Sequence, residues 1–338
     1  MQCSLTSFSS AVFSRLKALL ATARIANVPS VIVNVLTGMF LMGFLFDTDS
    51  PHWDQQTIFP VIAACCLYVA GNFLNDWYDV AWDREHRPER AIPSGLFPRD
   101  LYLSIAIVLV IIGGMMSWQV SKTVCFTYAI ILCLVIAYTL LHKRHAFSIW
   151  IMGACRAGLY VLGMGAMSAG FRLLRDLLTG WQDWQGVAIA ITILFPVLGM
   201  LSYIAGISLL ARYESRPADL SSTKWIAALL LLFPLCTHLA PWVGGNYLGF
   251  PLSESWVGGF GILPFLGWTL FVVCSKAAVG QKVARLLAGI ALVDSLYWLS
   301  MGWAVYAMMG YDVILWFSLL PLLAFVLALL LQKIAPAT

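Results

Sequence analysis

Long apolar stretches alternate with short polar breaks along this chain, and the stretches set the fold class. Ten apolar segments stand out, at about 28–46, 57–76, 100–118, 124–141, 148–168, 187–210, 225–242, 257–275, 284–304 and 313–333. Most approach or match the roughly 20 residues that an α-helix needs to cross the hydrocarbon core of a bilayer. The pattern predicts an all-α fold, a polytopic transmembrane helical bundle of nine to ten spans. Residues 28–338 read as a single integral membrane domain. Residues 1–27 carry Arg15, Lys17 and Arg24 but no acid. They read either as an interfacial amphipathic helix, built on Phe8, Val12, Leu16, Leu19 and Leu20, or as a transit peptide.

Composition supports the same class. The 338 residues are 61% hydrophobic and only 11% charged, against about 25% charged in soluble domains. So few charges could not solvate a globular surface. The formal net charge of +4 points to membrane lipids as surroundings and to no nucleic-acid partner. None of the eight cysteines forms a C-x-x-C pair, so the sequence supports neither zinc nor a redox dithiol.

Charge placement then orients the bundle. If the N-terminus is inside, sixteen of the 20 Lys and Arg residues fall on that side. Lys122, Arg172 and Arg175 fall on the other side, and Arg156 lies within a span. Positive residues concentrate on cytoplasmic loops, so both termini and the charged loops are expected on the cytoplasmic-equivalent side of a cell inner membrane or organelle membrane.

The connection 77–99 gathers acids, arginines, prolines and aromatics. At about 100° per residue, a helix continuing from the second span places Asn72, Asp76, Asp79 and Asp83 within an arc of roughly 60°, with Asn75 at its edge. Three carboxylates on one face repel each other unless a cation joins them. Oxygen ligands alone suit Mg²⁺, which keeps waters and shares its shell with phosphate. Arg84, Arg87 and Arg90 follow, and Pro88 and Pro93 disfavour further helix, so the segment should bend back over the membrane mouth. Guanidinium forks beside a carboxylate cluster suit a diphosphate.

These residues carry a family resemblance. Asn75-Asp76-x-x-Asp79-x-x-x-Asp83, then Arg87-Pro88 and Ile92-Pro93-Ser94-Gly95, resembles the first aspartate-rich motif of the UbiA superfamily of intramembrane prenyltransferases. Arg24, Asn27 and Gly38 resemble that family's entry to its first helix. Tyr138 with Lys143-Arg144 resembles its tyrosine and basic pair between the fourth and fifth helices. Met152-Gly153-Ala154-Cys155-Arg156, and the run from Tyr203 to Glu214, resemble the EboC-like branch in particular. The resemblance implies a helical bundle around a central cavity. It also implies Mg²⁺, a polyprenyl diphosphate donor and transfer of the prenyl group to a hydrophobic or aromatic acceptor.

On this reading Asn72, Asp76, Asp79 and Asp83 hold the magnesium-diphosphate, with Asn75 in support. Arg84, Arg87, Lys143, Arg156 and Arg212 are candidate diphosphate contacts, and Glu214 is a candidate second-metal ligand or base. The stretch after the sixth span departs from the family, because Glu214 and the distant Asp219 replace a full second aspartate-rich motif. That reduction keeps alternatives open: a non-catalytic lipid or precursor transporter, or a membrane scaffold of a biosynthetic complex. Asp294 reads either as lining an acceptor pocket or as a satisfied helix–helix hydrogen bond. His142 and His145 are expected to be interfacial.

Overall fold

A computed structural model of the protein describes residues 2–46, 57–167, 184–214, 220–247, 261–309 and 316–335. All regular structure among them is helical. In chain order the helices are α1 (Gln2–Thr22), a 3₁₀ turn (Ile25–Asn27), α2 (Val28–Phe46), α3 (Ile58–Tyr78), α4 (Val80–His86), α5 (Arg99–Val120), α6 (Lys122–Leu141) and α7 (Ser148–Ala166). There follow α8 (Trp184–Glu214), α9 (Leu220–Tyr247), α10 (Ile262–Cys274), α11 (Val279–Ala288), α12 (Ile290–Met309) and α13 (Leu320–Gln332). Each of the ten apolar segments carries a helix over its described part. Among the described residues six helices are long and apolar enough to cross a membrane, and three shorter apolar helices accompany them.

One boundary differs from the sequence expectation. The segment 284–304 is split at Gly289, which caps α11. Val283 and Leu286 are buried on one face of α11 while Gln281 on the other side is exposed. Residues 279–288 thus form an amphipathic helix of their own, and the ninth apolar segment continues as a separate helix from Ile290.

The outer surface confirms an apolar surrounding. Ile107, Ile111 and Met115 on α5, Phe126 and Ile130 on α6, and Leu323 and Val326 on α13 are large apolar side chains left exposed. They repeat at helical spacing down single faces, as lipid-facing stripes do. Trp118 stands exposed near the end of α5, where an interfacial ring would sit.

Inside, α3 packs along α5, α2 along α7, α7 along both α6 and α8, and α8 along α9. The α2–α7 seam is closed by two glycines. A Cβ on Gly38 would overlap the backbone carbonyl of Tyr160, and one on Gly163 would overlap the carbonyl of Val35. Small residues let membrane helices approach backbone to backbone. Gly163→Ala is therefore expected to force the two helices apart and to destabilise the protein by about 2 kcal/mol. Unfolding in a denaturing-detergent titration checks this, and an unchanged midpoint would show that the seam yields.

A buried polar cluster joins the same helices to α12. Asp294 accepts hydrogen bonds from Asn34 Nδ2 (2.7 Å), Thr37 Oγ1 (2.7 Å) and Tyr160 OH (2.7 Å). Trp298 donates from Nε1 to Thr37 (2.8 Å) and stacks on Phe40. Asp294 is thus a helix–helix hydrogen-bonding group.

Candidate active site

The charged connections meet at one end of the bundle, and local folding explains why. α3 ends at Tyr78, and Asp79 adopts φ −81°, ψ 0°, short of helical ψ. The backbone ladder nevertheless runs through, from Asp79 N–H to Asn75 O and from Asp83 N–H to Asp79 O, both 2.9 Å. The expected acidic face therefore survives, bent at Asp79. Beyond α4 the chain turns back. Ile92 is buried in an apolar cluster with Phe73, Val80 and Tyr102, and Gly95 at φ 76° takes a left-handed conformation that costs a glycine little. Burying Ile92 draws Arg90 over the carboxylates.

Arg90 Nη1 lies 3.0 Å from Asp76 Oδ1 and 3.0 Å from Asp83 Oδ2. The first and last acids of the motif therefore converge on one positively charged point. Asp83 is buried and Asp76 mostly so, which strengthens both pairs relative to a surface bridge. Asp76 also accepts from Thr22 Oγ1 (3.4 Å), and Thr22 contacts Tyr102 OH (3.0 Å).

Asp79 faces a different pair of side chains. Lys143 Nζ approaches its Oδ1 at 2.9 Å, and His142 Nε2 its Oδ2 at 3.1 Å. His142 Nδ1 lies 3.0 Å from the carbonyl of Thr139. Both ring nitrogens thus lie against oxygen atoms, which fixes the ring's orientation. Burial pushes the Asp79 carboxyl up, but the hydrogen bonds and charges of His142 and Lys143 outweigh it and hold the group below its ordinary range. Lys143 also sits 4.0 Å over the Trp82 ring.

The remaining candidates spread outward. Asn72 donates to Ala23 O (3.2 Å), and Asn75 accepts from Thr139 Oγ1. Arg84 is exposed, and Arg87 lies 6.0 Å from the Trp82 ring. Arg212 reaches across from α8 to the carbonyls of His145 (2.9 Å) and His142 (3.5 Å). Arg156 is buried deeper, bonded to Ser30 and 5.7 Å over Tyr68. Glu214 ends α8 and its side chain lies outside the described part, as does Asp219. Arg24 joins α1 to the 3₁₀ turn at φ 47°, ψ 51°, unusual for a residue with a side chain, and its charge acts on Asp76.

Two groups here were missed by sequence reasoning. Arg90, rather than Arg84 or Arg87, bridges the acids. The signal was the Pro88–Pro93 reversal, which returns only the later arginine to the helix. His142 is an Asp79 partner instead of an interfacial ring. It follows Tyr138 by one helical turn, so it shares that residue's face and stacks on its ring.

The donor set fits a hard divalent cation. Two carboxylate oxygens meet at one position, which the Arg90 guanidinium fills, and oxygen donors suit a hard cation. Among the described residues no cluster of three His, Cys, Asp or Glu side chains could hold a metal by itself. Two carboxylates suit an ion that completes its shell with water and phosphate oxygens.

The UbiA prenyltransferase family profile matches residues 35–274. The chain belongs to the UbiA prenyltransferase family. Members of that family generally depend on a divalent metal. The chain is 31% identical over 134 residues to digeranylgeranylglyceryl phosphate synthase of Methanoregula boonei, covering 35% of this chain and 48% of that protein. It is 27% identical over 187 residues to the protein of the same name from Methanoculleus marisnigri, covering 50% and 64%. It thus spans about half to two thirds of the length of these curated relatives. A solved structure described as giving structural and mechanistic insights into digeranylgeranylglyceryl phosphate synthase in membranes shares the fold. Its TM-score is 0.51 at 15% identity, over 96% of this chain and 99% of that one.

Proposed function

We propose that this UbiA-family protein transfers a prenyl group from a polyprenyl diphosphate to a hydrophobic or aromatic acceptor within the membrane, using Mg²⁺. The convergence of Asp76 and Asp83 on one cationic point, beside Lys143, His142 and Arg24, carries the reading. Mg²⁺, when bound there, offsets the diphosphate charge that grows as the allylic C–O bond breaks. Asp76 and Asp83 would hold it, with Asp79 and Asn72 nearby.

The chain's own cations do the rest. Arg90 can exchange its carboxylates for phosphate oxygens without leaving the mouth, and Lys143 can do the same from Asp79. Arg84, Arg87 and Arg212 are further candidate contacts, and Glu214, at the end of α8, is a candidate second-metal ligand or base. Preorganised cations stabilise a leaving anion because little reorganisation is needed as its charge develops. The apolar interior below excludes water that would otherwise capture the prenyl cation.

The sixteen-to-three charge distribution supports a cytoplasmic-side mouth and cytoplasmic termini, with residues 28–338 as one membrane domain behind the segment 1–27. The reduced second motif favours one rival, a transporter or scaffold that binds the donor without reacting. Purified protein with Mg²⁺, a polyprenyl diphosphate and membrane lipid extract is expected to release diphosphate and form a prenylated lipid detectable by mass spectrometry. Donor binding with no release would support the rival.

A further inference from the structure

The apolar outer surface is interrupted by a groove of about 480 Å³ between α10 and α13. Gly267, Trp268 and Phe271 of α10 line it, together with Leu292 of α12 and Phe325 and Val326 of α13. Trp268 is pinned on two sides. Its ring meets Phe325 edge-on at 4.9 Å, and its Nε1 donates to the Arg285 carbonyl at 3.0 Å. Gly267 keeps the middle open, since a Cβ there would meet nothing within 4 Å. Left empty, such a groove forfeits dispersion contacts along its walls, and a hydrocarbon chain restores them.

One end of the groove is charged. There α11 bridges the two walls: Lys282 Nζ donates to the Val273 carbonyl of α10 (2.8 Å), and Gln332 Nε2 of α13 donates to the Ala284 carbonyl (2.7 Å). Arg285 borders the groove, with its guanidinium 6.0 Å from the Phe271 ring. No ion pair among the described residues includes it. Lys276 is exposed just beyond α10, and Lys333 just beyond α13. The chain has no acid between Glu254 and Asp294, and none after Asp312. The ends of α10, α11 and α13 therefore carry Lys276, Lys282, Arg285 and Lys333 with no carboxylate to neutralise them.

Apolar walls leading to a cluster of cations match a molecule with a hydrocarbon chain and an anionic head. Guanidinium forks pair with phosphate oxygens, and basic residues beside a bilayer attract anionic headgroups. A magnesium-bound diphosphate matches less well, because the metal calls for carboxylate ligands and this end offers none. We propose that the groove between α10 and α13 binds one anionic phospholipid of the surrounding bilayer. Its chain lies against Trp268 and Phe271 and its phosphate on Arg285, with Lys276 and Lys282 in support.

Lipid titrations of the full-length protein in detergent micelles, read by native mass spectrometry, test this. The probes are phosphatidylglycerol and phosphatidylcholine with identical chains. The first phosphatidylglycerol should bind at least about five-fold more tightly than the first phosphatidylcholine. Arg285→Gln should remove that preference. Gly267→Leu fills the groove without touching a charge, and should weaken both lipids about five-fold or more. It decides the matter if the Arg285 variant does not fold. Added polyprenyl diphosphate with Mg²⁺ should leave the phosphatidylglycerol in place. Equal binding of the two lipids by wild type overturns the proposal, as does a preference that survives in Arg285→Gln. Undiminished phosphatidylglycerol binding by Gly267→Leu also overturns it, reducing the effect to attraction by surface charge. Displacement of the phospholipid by the diphosphate would make the groove a donor site and overturn it as well.

Discussion

Asp76→Ala and Asp83→Ala should each lower prenyl transfer by at least about 100-fold while the protein still folds, comparable to losing a principal electrostatic group in other enzymes. Both carboxylates meet the same positive point at 3.0 Å. Losing either leaves one charge where two are needed to hold a divalent ion against its hydration. Asp79→Ala should cost less, because Asp79 is paired with Lys143 and His142 and both can turn to phosphate once it is gone. Product formation measured over a magnesium titration checks the order. In the Asp76 and Asp83 variants the magnesium requirement should rise, and in Asp79→Ala it should move little. Wild-type rates in either of the first two would remove the metal from this position.

Asp294→Ala is expected to produce the largest loss of stability, about 3 kcal/mol. The aspartate accepts three buried hydrogen bonds from two other helices. Truncation strands three donors in an apolar interior, where each unmet group is expensive. Interhelical bonds in membranes are individually modest, which keeps the figure below the sum of three charge-assisted bonds in water. Asp294→Asn should be milder, since one amide oxygen still accepts. Denaturing-detergent unfolding midpoints rank the two, and equal midpoints would show that the cluster reorganises around the gap.

The membrane architecture was legible because its cause is one-dimensional. A lipid-facing helix must be apolar for its whole length, so each of the ten apolar runs is helical over its described part, and the break at Gly289 escaped. The acidic stripe was legible for the same reason: Asn72, Asp76, Asp79 and Asp83 share a face by helical periodicity alone, and the bend at Asp79 did not abolish it. Which cation meets which acid was not legible. That depends on Ile92 finding a place between Phe73, Val80 and Tyr102, a contact among three segments that no local spacing encodes. Arg84 and Arg87 precede that anchor and stay outside, while Arg90 is carried in. Arg156 showed itself in the sequence as a charge too deep to be routine, but its unpaired Nε and the open oxygens of Asn27 and Asn34 emerge only once α2 and α7 are side by side.

The seam between those two helices bears on how the protein can diversify. Gly38 and Gly163 set the spacing by bare backbone against bare backbone, so the separation is independent of the side chains that line the interior. Interior side chains of α2 and α7 can then change without altering the distance between the two backbones, and attempts to re-engineer the interior should leave both glycines untouched.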